Sequence, residues 1–237
     1  MSALEVISEL NKLKSSSKAS ELQRFFKTGP GDYAEGDVFI GVMVPQTRKV
    51  AAKFKDLSLT EITKLTNSDI HEVRLCGLVI LTNQYKKCRN LKDKKQIFDL
   101  YMKEVKAGNV NNWDLVDVTA PTIGDYLLHI DDPISILKKL AKSKSLWERR
   151  VSMIFTFAFI RAGELDPTYE LAQFHLNDSH DLMHKAVGWM LREMGKRDPA
   201  LLRAFLQEHC ADMPRTALRY SIEKLPERER MKWMLTK

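Results

Sequence analysis

Trp113 and Asp117 are the two residues of this chain whose types and spacing best suit chemistry. They follow Asn111 and Asn112, either of which is a plausible helix N-cap, and Asp114 suits a first helical turn. In a helix that runs on from Trp113, residues four apart lie one above the other on the same face. A carboxylate and an indole would then face one space, where both can stabilise positive charge. The alternative is that the indole packs into the core and the acid is merely solvated.

Two later helices, expected to begin near residues 146 and 180, carry the other unusual side chains. The first contains Trp147, Arg149 and Arg150, and the second contains Lys185 and Trp189. Trp147 lies among apolar residues at helical spacing, so core packing is its alternative role. For Arg150 the alternatives are a phosphate ligand and a solvated or acid-paired side chain. Together the three helices would place aromatic rings, cations and one acid on one surface.

The helices that position these residues belong to a repeat. Asp-Pro occurs at 132–133, 166–167 and 198–199, each time suited to an N-cap followed by a proline in the first turn. The separations of 34 and 32 residues fit one pair of helices per repeat. Such a period predicts stacked helical hairpins, each burying its face against its neighbours. We therefore predict an all-α fold, a single curved α-solenoid domain over residues 1–237, with the helices near 113, 146 and 180 in one row on a basic concave face.

The first half of the chain is also predicted to be helical. Residues 3–14, 17–27, 69–85 and 91–105 show helical periodicity, with Asp69 as the predicted N-cap of the third helix. Residues 38–44 are apolar enough for a strand but have no evident pairing partner. We interpret them as a buried connection into a helix that carries Pro45 in its first turn.

Composition narrows the partners and the compartment. Thirty-eight Lys and Arg against thirty-one Asp and Glu give a net charge of +7, which favours a polyanion such as nucleic acid. Three cysteines without metal-ligand spacing favour a reducing cytoplasm over a disulfide framework. No signal peptide is evident, and no apolar run reaches membrane-spanning length. A soluble cytoplasmic protein, a monomer by default and without a membrane partner, is expected.

Three further features have plain structural explanations. His180 and His184 have the spacing of a zinc helix, but no third ligand is evident, so no metal is predicted. The glycines at 29, 31 and 36 lack the strand and the lysine of a phosphate loop and indicate an ordinary turn. Gly188 inside a helix indicates a close approach to its backbone, by a ligand or by a packed helix. The basic runs at 85–95 and 138–144 are either solvated faces or a track for a phosphate backbone.

The segments at 112–117, 147–150 and 185–193 resemble the AlkD family of alkylpurine DNA glycosylases, which are built from HEAT-like repeats. Their order and spacing agree over most of the chain, including the turn at 41–48. The resemblance implies a monofunctional glycosylase that needs no cofactor and acts on alkylated bases in double-stranded DNA. Two positions depart from the family's pattern: Asn112 replaces a tryptophan, and Phe25 replaces an aromatic alcohol. Neither is expected to touch the acid or the paired indoles.

Carried over position by position, the resemblance makes Asp117 the catalytic carboxylate, with Trp113 and Trp189 beside the damaged nucleoside. Arg150 would hold the DNA backbone, and the predicted DNA-binding set also includes Lys185, Arg149 and Trp147. A purine alkylated at N3 or N7 is already cationic, so stabilising the oxocarbenium-like sugar is the main task. The alternative is a non-catalytic HEAT-like module that binds DNA or an acidic protein through the same face.

Overall fold

The computed structural model describes residues 1–236, and this part of the chain consists of α-helices, one 3₁₀ helix and connecting loops. Within it no strand forms, and the β-type pairing is an isolated bridge between Val38 and Ile70. The predicted all-α class is therefore confirmed. The chain packs as two compact units, one over Met1–Ile123 and one from Gly124 onward. The single domain over 1–237, the curvature and the concave basic face stay predictions.

Seven helices form the first unit. They are α1 (Ala3–Asn11), α2 (Ser16–Phe25), α3 (Val44–Lys53), α4 (Leu59–Thr66), α5 (His71–Tyr85), α6 (Leu91–Lys106) and α7 (Trp113–Ile123). Helix α5 is central, because it is buried on nearly every side and packs against α3, α4 and α7. Residues 75–81 in its middle are apolar on every face, and such a stretch of helix is stable only when it is covered all round. Gly77 allows this packing, since a Cβ there would lie 2.9 Å from the Leu65 Cβ of α4.

The second unit begins with a 3₁₀ helix, Gly124–His129. Its helices are α8 (Pro133–Ala141), α9 (Leu146–Ala162), α10 (Asp166–Phe174), α11 (Asp181–Arg197), α12 (Pro199–His209), α13 (Arg215–Ser221) and α14 (Glu227–Leu235). Helix α9 packs against α8, α10 and α11, and α11 also packs against α12 and α13. The long helices α9 and α11 are thus neighbours, as predicted for two members of one row.

The close approach predicted at Gly188 is a helix contact. A Cβ at this position would lie 2.5 Å from the carbonyl oxygen of Ala217 and 2.5 Å from the Cβ of Tyr220, both on α13. Of the two alternatives, close helix packing therefore explains this glycine.

Two of the three predicted Asp-Pro caps are confirmed. The side chains of Asp132 and Asp198 accept backbone N–H groups at the starts of α8 and α12. The prediction for Asp166 is wrong, because Leu165 already has αR angles and serves as the N-cap of α10. Asp69 is not a cap either, since Ile70 holds the N-cap position of α5.

The apolar segment before α3 is the predicted connection, with Phe39 and Val42 buried and Val38 exposed. Pro45 lies in the first turn of α3, as predicted. None of the described helices is long and apolar enough to cross a membrane.

Candidate active site

Helix α7 begins where the sequence indicated. Asn112 is its N-cap: the carbonyl oxygen accepts the N–H of Val116 at 3.2 Å, and the side-chain Oδ1 accepts the N–H of Trp113 at 2.8 Å. Asn112 is fully buried, and its Nδ2 donates to Asp37 at 3.3 Å. A tryptophan side chain has no oxygen that could accept the N–H of Trp113 in this way.

Trp113 and Asp117 lie on the outer face of α7. Both are half-buried, whereas Leu115, Val116 and Thr119 between and beyond them are buried in the first unit. The predicted shared face is therefore present, with a carboxylate one helical turn beyond an indole.

A stack of aromatic rings holds Trp113 in place. Its indole lies 5.4 Å from the Phe26 ring at an interplanar angle of 20°. Phe26 stacks in turn on Phe39 at 5.0 Å, and Phe39 stacks on His71 at 4.4 Å. Such ring pairs add specific geometry to the burial of apolar area. Sequence reasoning missed this stack, because its members come from four separate parts of the chain.

Phe25 lies beside the same indole. Its ring is 6.1 Å from that of Trp113 in an edge-on arrangement, and its side chain is 64% exposed. The expectation that neither departure from the family's pattern touches the acid or the indoles is therefore wrong. Asn112 bonds the backbone of Trp113, and Phe25 borders its ring, because the end of α2 packs over the start of α7.

A buried network of charges lies behind the first turn of α7. His71 contacts a carboxylate at each ring nitrogen, with Nδ1 3.0 Å from Asp37 Oδ2 and Nε2 2.9 Å from Asp114 Oδ2. Asp37 also accepts from Arg74, and Arg74 donates to Asn111 Oδ1 at 3.0 Å. Asp114 was predicted only to suit the helix start, but it also anchors this network. The remaining members were not predicted, since no local pattern marks them.

The electrostatics of this network favour a charged histidine. Burial alone would lower the pKa of His71, but the carboxylates of Asp114 and Asp37 outweigh it and raise the pKa to about 9. Burial likewise opposes ionisation of Asp37, but its bonds to His71 and Arg74 keep the pKa of that carboxyl below its usual range.

A buried tyrosine lies near Asp117. The Tyr101 oxygen accepts a hydrogen bond from Thr119 Oγ1 at 2.9 Å. Burial raises the pKa of Tyr101, and the negative charge of Asp117 raises it further. Tyr101 therefore stays neutral beside Asp117.

In the second unit, Trp189 is half-buried on α11. Its ring lies 6.0 Å from that of Phe157 on α9. The guanidinium of Arg161 lies 4.3 Å over the other ring of this pair, Phe157, in a cation–π contact. The second predicted indole thus lies on a partly exposed aromatic and cationic face.

The four residues predicted to bind DNA also lie in the second unit. Trp147 is 9% exposed, which agrees with core packing. Arg150 is 4% exposed and donates to the carbonyl of Leu182 in the first turn of α11. Arg149 donates to Asp178 at 2.7 Å, and Lys185 forms an ion pair with Asp181 at 2.7 Å. Their roles toward DNA stay predictions.

The two histidines with zinc-helix spacing serve the backbone. His180 Nδ1 accepts the N–H of Leu182 at 3.1 Å, and His184 Nε2 bonds the carbonyl of Asp178. Among residues 1–236, no group of three or more His, Cys, Asp or Glu side chains is arranged to hold a metal ion.

The fold and the site define a class: an all-helical protein in which α7 presents an indole and a carboxylate on one outer face. Residues 6–225 match the family described as DNA alkylation repair enzymes, and the chain belongs to that family. A solved structure described as a predicted DNA alkylation repair enzyme from Enterococcus faecalis has the same fold. Its TM-score is 0.70 at 17% sequence identity, over 90% of this chain and 97% of that one. A comparison with curated proteins found no match.

Proposed function

We propose that this protein is a monofunctional DNA glycosylase of the AlkD type. It hydrolyses the N-glycosidic bond of cationic N3- and N7-alkylated purines in duplex DNA. The observation that carries the proposal is the pairing of Trp113 with Asp117 on the outer face of α7, in a chain of the DNA alkylation repair family. On this proposal the enzyme works as a monomer, without a cofactor, on DNA in the cytoplasm.

The chemistry requires little more than this pair. As the glycosidic bond breaks, the cationic base leaves with the bonding electrons and the sugar becomes oxocarbenium-like. Asp117 opposes that charge and orients the water that attacks the anomeric carbon, and the proton that this water loses passes to solvent. The indole of Trp113, held by Phe26, adds about 0.5–2 kcal/mol to the stabilisation of a desolvated cation. For Trp189, the role beside the damaged nucleoside that the resemblance implies stays a prediction.

The lesion range follows from the surroundings of Asp117. A neutral leaving base such as uracil needs a proton as it departs. The acid and the histidine near the start of α7, Asp114 and His71, are bonded to each other at 2.9 Å, and His71 is 1% exposed. They are committed to the protein and do not serve as proton donors to a base. A cationic purine needs no such donor.

The test compares duplexes that each carry one lesion: 7-methylguanine, 3-methyladenine, hypoxanthine or uracil. We expect release of the first two and little or no release of the others. Asp117→Asn should reduce excision by orders of magnitude, with duplex binding and thermal unfolding nearly unchanged, because the charge acts mainly in the transition state. Asp99→Asn is the matched control, since it removes the same charge from an exposed position on α6.

Two outcomes would contradict the proposal. Efficient uracil excision that depends on Asp117 would exclude a mechanism driven by the charge of the base. Tight duplex binding without release of any lesion would favour the non-catalytic DNA-binding module.

A further inference from the structure

His71 has a hydrogen-bonding pattern that only its charged form satisfies. Both ring nitrogens lie within 3.0 Å of carboxylate oxygens, from Asp37 on one side and Asp114 on the other. A neutral imidazole has one N–H and one lone pair, so one nitrogen would direct its lone pair at a carboxylate. The imidazolium donates at both nitrogens, and both contacts become charge-assisted bonds.

The charges around His71 balance only in that form. Asp37 and Asp114 supply two negative charges, and Arg74, which donates to Asp37, supplies one positive charge. A charged His71 brings the buried group to neutrality. Loss of its proton would leave an uncompensated negative charge in the interior, which is strongly unfavourable.

This network holds the start of α7 from several points. Asp37 accepts from Asn111 at 3.4 Å and from Asn112 at 3.3 Å, immediately before the helix. Asp37 is also connected through His71 to Asp114, the residue after Trp113. The face of the imidazole belongs to the ring stack that ends on Trp113, through Phe39 and Phe26.

We propose that His71 is a positioning residue: as an imidazolium bridging Asp37 and Asp114, it fixes the first turn of α7 and so the placement of Trp113 and Asp117. This inference rests on the proposed function for its catalytic consequence. His71 does not contact the substrate in this proposal, because it is buried. It acts on the candidate site only through the residues that it holds in place.

The proposal predicts a pH dependence. Three charged side chains face His71: Asp37, Asp114 and Arg74. The other neighbours are the uncharged rings of Phe26 and Phe39. Because the pKa of His71 is raised to about 9, the bridge is intact at neutral pH. The stability that the bridge provides is complete below about pH 6.5, the ordinary pKa of histidine, declines above that value, and is lost as the pH rises through about 9, where the site geometry is lost too.

The first test uses fluorine NMR and needs no activity. Protein labelled with 5-fluorotryptophan gives four resonances, and Trp113→Phe identifies the one from residue 113. In the wild type this resonance should shift with a midpoint near pH 9, and in His71→Gln the shift should be absent. His175→Gln is the matched control: it removes a histidine of similar burial from the second unit and should keep the shift. A Trp113 resonance that titrates identically in His71→Gln would overturn the proposal.

The second test measures single-turnover excision of 7-methylguanine at pH 7.5. Misplacing catalytic groups by about 1 Å can cost on the order of 100-fold, so His71→Gln should lose about 10- to 100-fold in rate while its affinity for undamaged duplex stays the same. An unchanged rate would overturn the positioning role. A wild type that excises no lesion but shows the Trp113 titration would refute the proposed function and still support the role of His71.

Asp114→Asn provides a second variant if His71→Gln folds poorly. Its amide oxygen can still accept the imidazole N–H, but one of the two negative charges that raise the pKa of His71 is gone. The Trp113 midpoint should therefore move to lower pH, and excision should fall in the neutral range where the wild type is active. A midpoint that stays near pH 9 in this variant would contradict the bridge.

Discussion

At the scale of single residues, Arg150 combines a predicted role toward DNA with a position inside the protein. Its guanidinium is 4% exposed and donates to the carbonyl of Leu182, so it links α9 to the first turn of α11. Truncation would leave that carbonyl without this donor and would open a cavity beside α11.

We expect Arg150→Ala to lower the free energy of unfolding by about 1–3 kcal/mol, because it removes a hydrogen bond from a charged donor and the packing of the arginine stem. If Arg150 also holds the DNA backbone, affinity per folded molecule should fall equally for damaged and intact duplexes. Urea denaturation and binding titrations measure the two effects separately. Wild-type binding by the folded variant would remove the phosphate role, and wild-type stability would contradict its structural role.

Phe25 contrasts with Arg150, because its side chain is exposed although it is apolar. Its burial therefore contributes little to the stability of the fold. Its ring stands edge-on to Trp113, whereas its neighbour Phe26 is buried in the stack beneath the same indole. Phe26, which follows α2, thus supports the indole, whereas Phe25, the last residue of α2, extends the aromatic surface next to it.

At the scale of helices, α11 depends on a glycine for its packing. The backbone of α13 lies so close to Gly188 that a Cβ would be 2.5 Å from the Ala217 carbonyl oxygen. Backbone cannot move aside as a flexible side chain can, so an added methyl group must displace one helix from the other.

We therefore predict that Gly188→Ala destabilises the protein by about 1–3 kcal/mol, although alanine favours helix by about 1 kcal/mol over glycine. Gly195→Ala on the same helix is the comparison, because its Cβ would meet mainly the side chain of Leu202. That variant should be affected less. Thermal unfolding of both variants measures the difference, and a stabilised Gly188→Ala would show that the helix contact is looser than described.

At the scale of the whole molecule, the net charge of +7 governs how DNA is approached. Each phosphate that a lysine or arginine neutralises releases counterions, and this makes binding depend on salt. Contacts to the backbone also carry no information about base sequence.

We predict that affinity for duplex DNA falls steeply between about 50 and 200 mM salt and differs little between sequences. Fluorescence anisotropy on labelled duplexes over this salt range provides the measurement. Affinity that is independent of salt would contradict a phosphate-tracking surface.

Local patterns in the sequence determined where many helices lie and which side chains share a helix face. Helical periodicity and capping residues predicted many of the helices, a start of α7 after Asn111 or Asn112, and the shared face of Trp113 and Asp117. These features depend on residues within a few positions of each other, so they are visible in a single sequence. The Asp-Pro cap at residue 166 was wrong by one residue, because only the path of the preceding loop decides where helical angles begin.

The tertiary structure alone decided what surrounds the candidate site. His71 meets Asp37 across 34 residues and Asp114 across 43, and no pattern in the sequence specifies those pairings. The sequence also did not determine that Arg150 is buried, because an arginine can donate equally to a DNA phosphate or to a backbone carbonyl. Local forces place side chains on a helix face, but only the packing of distant segments determines which face is covered and which charges are paired.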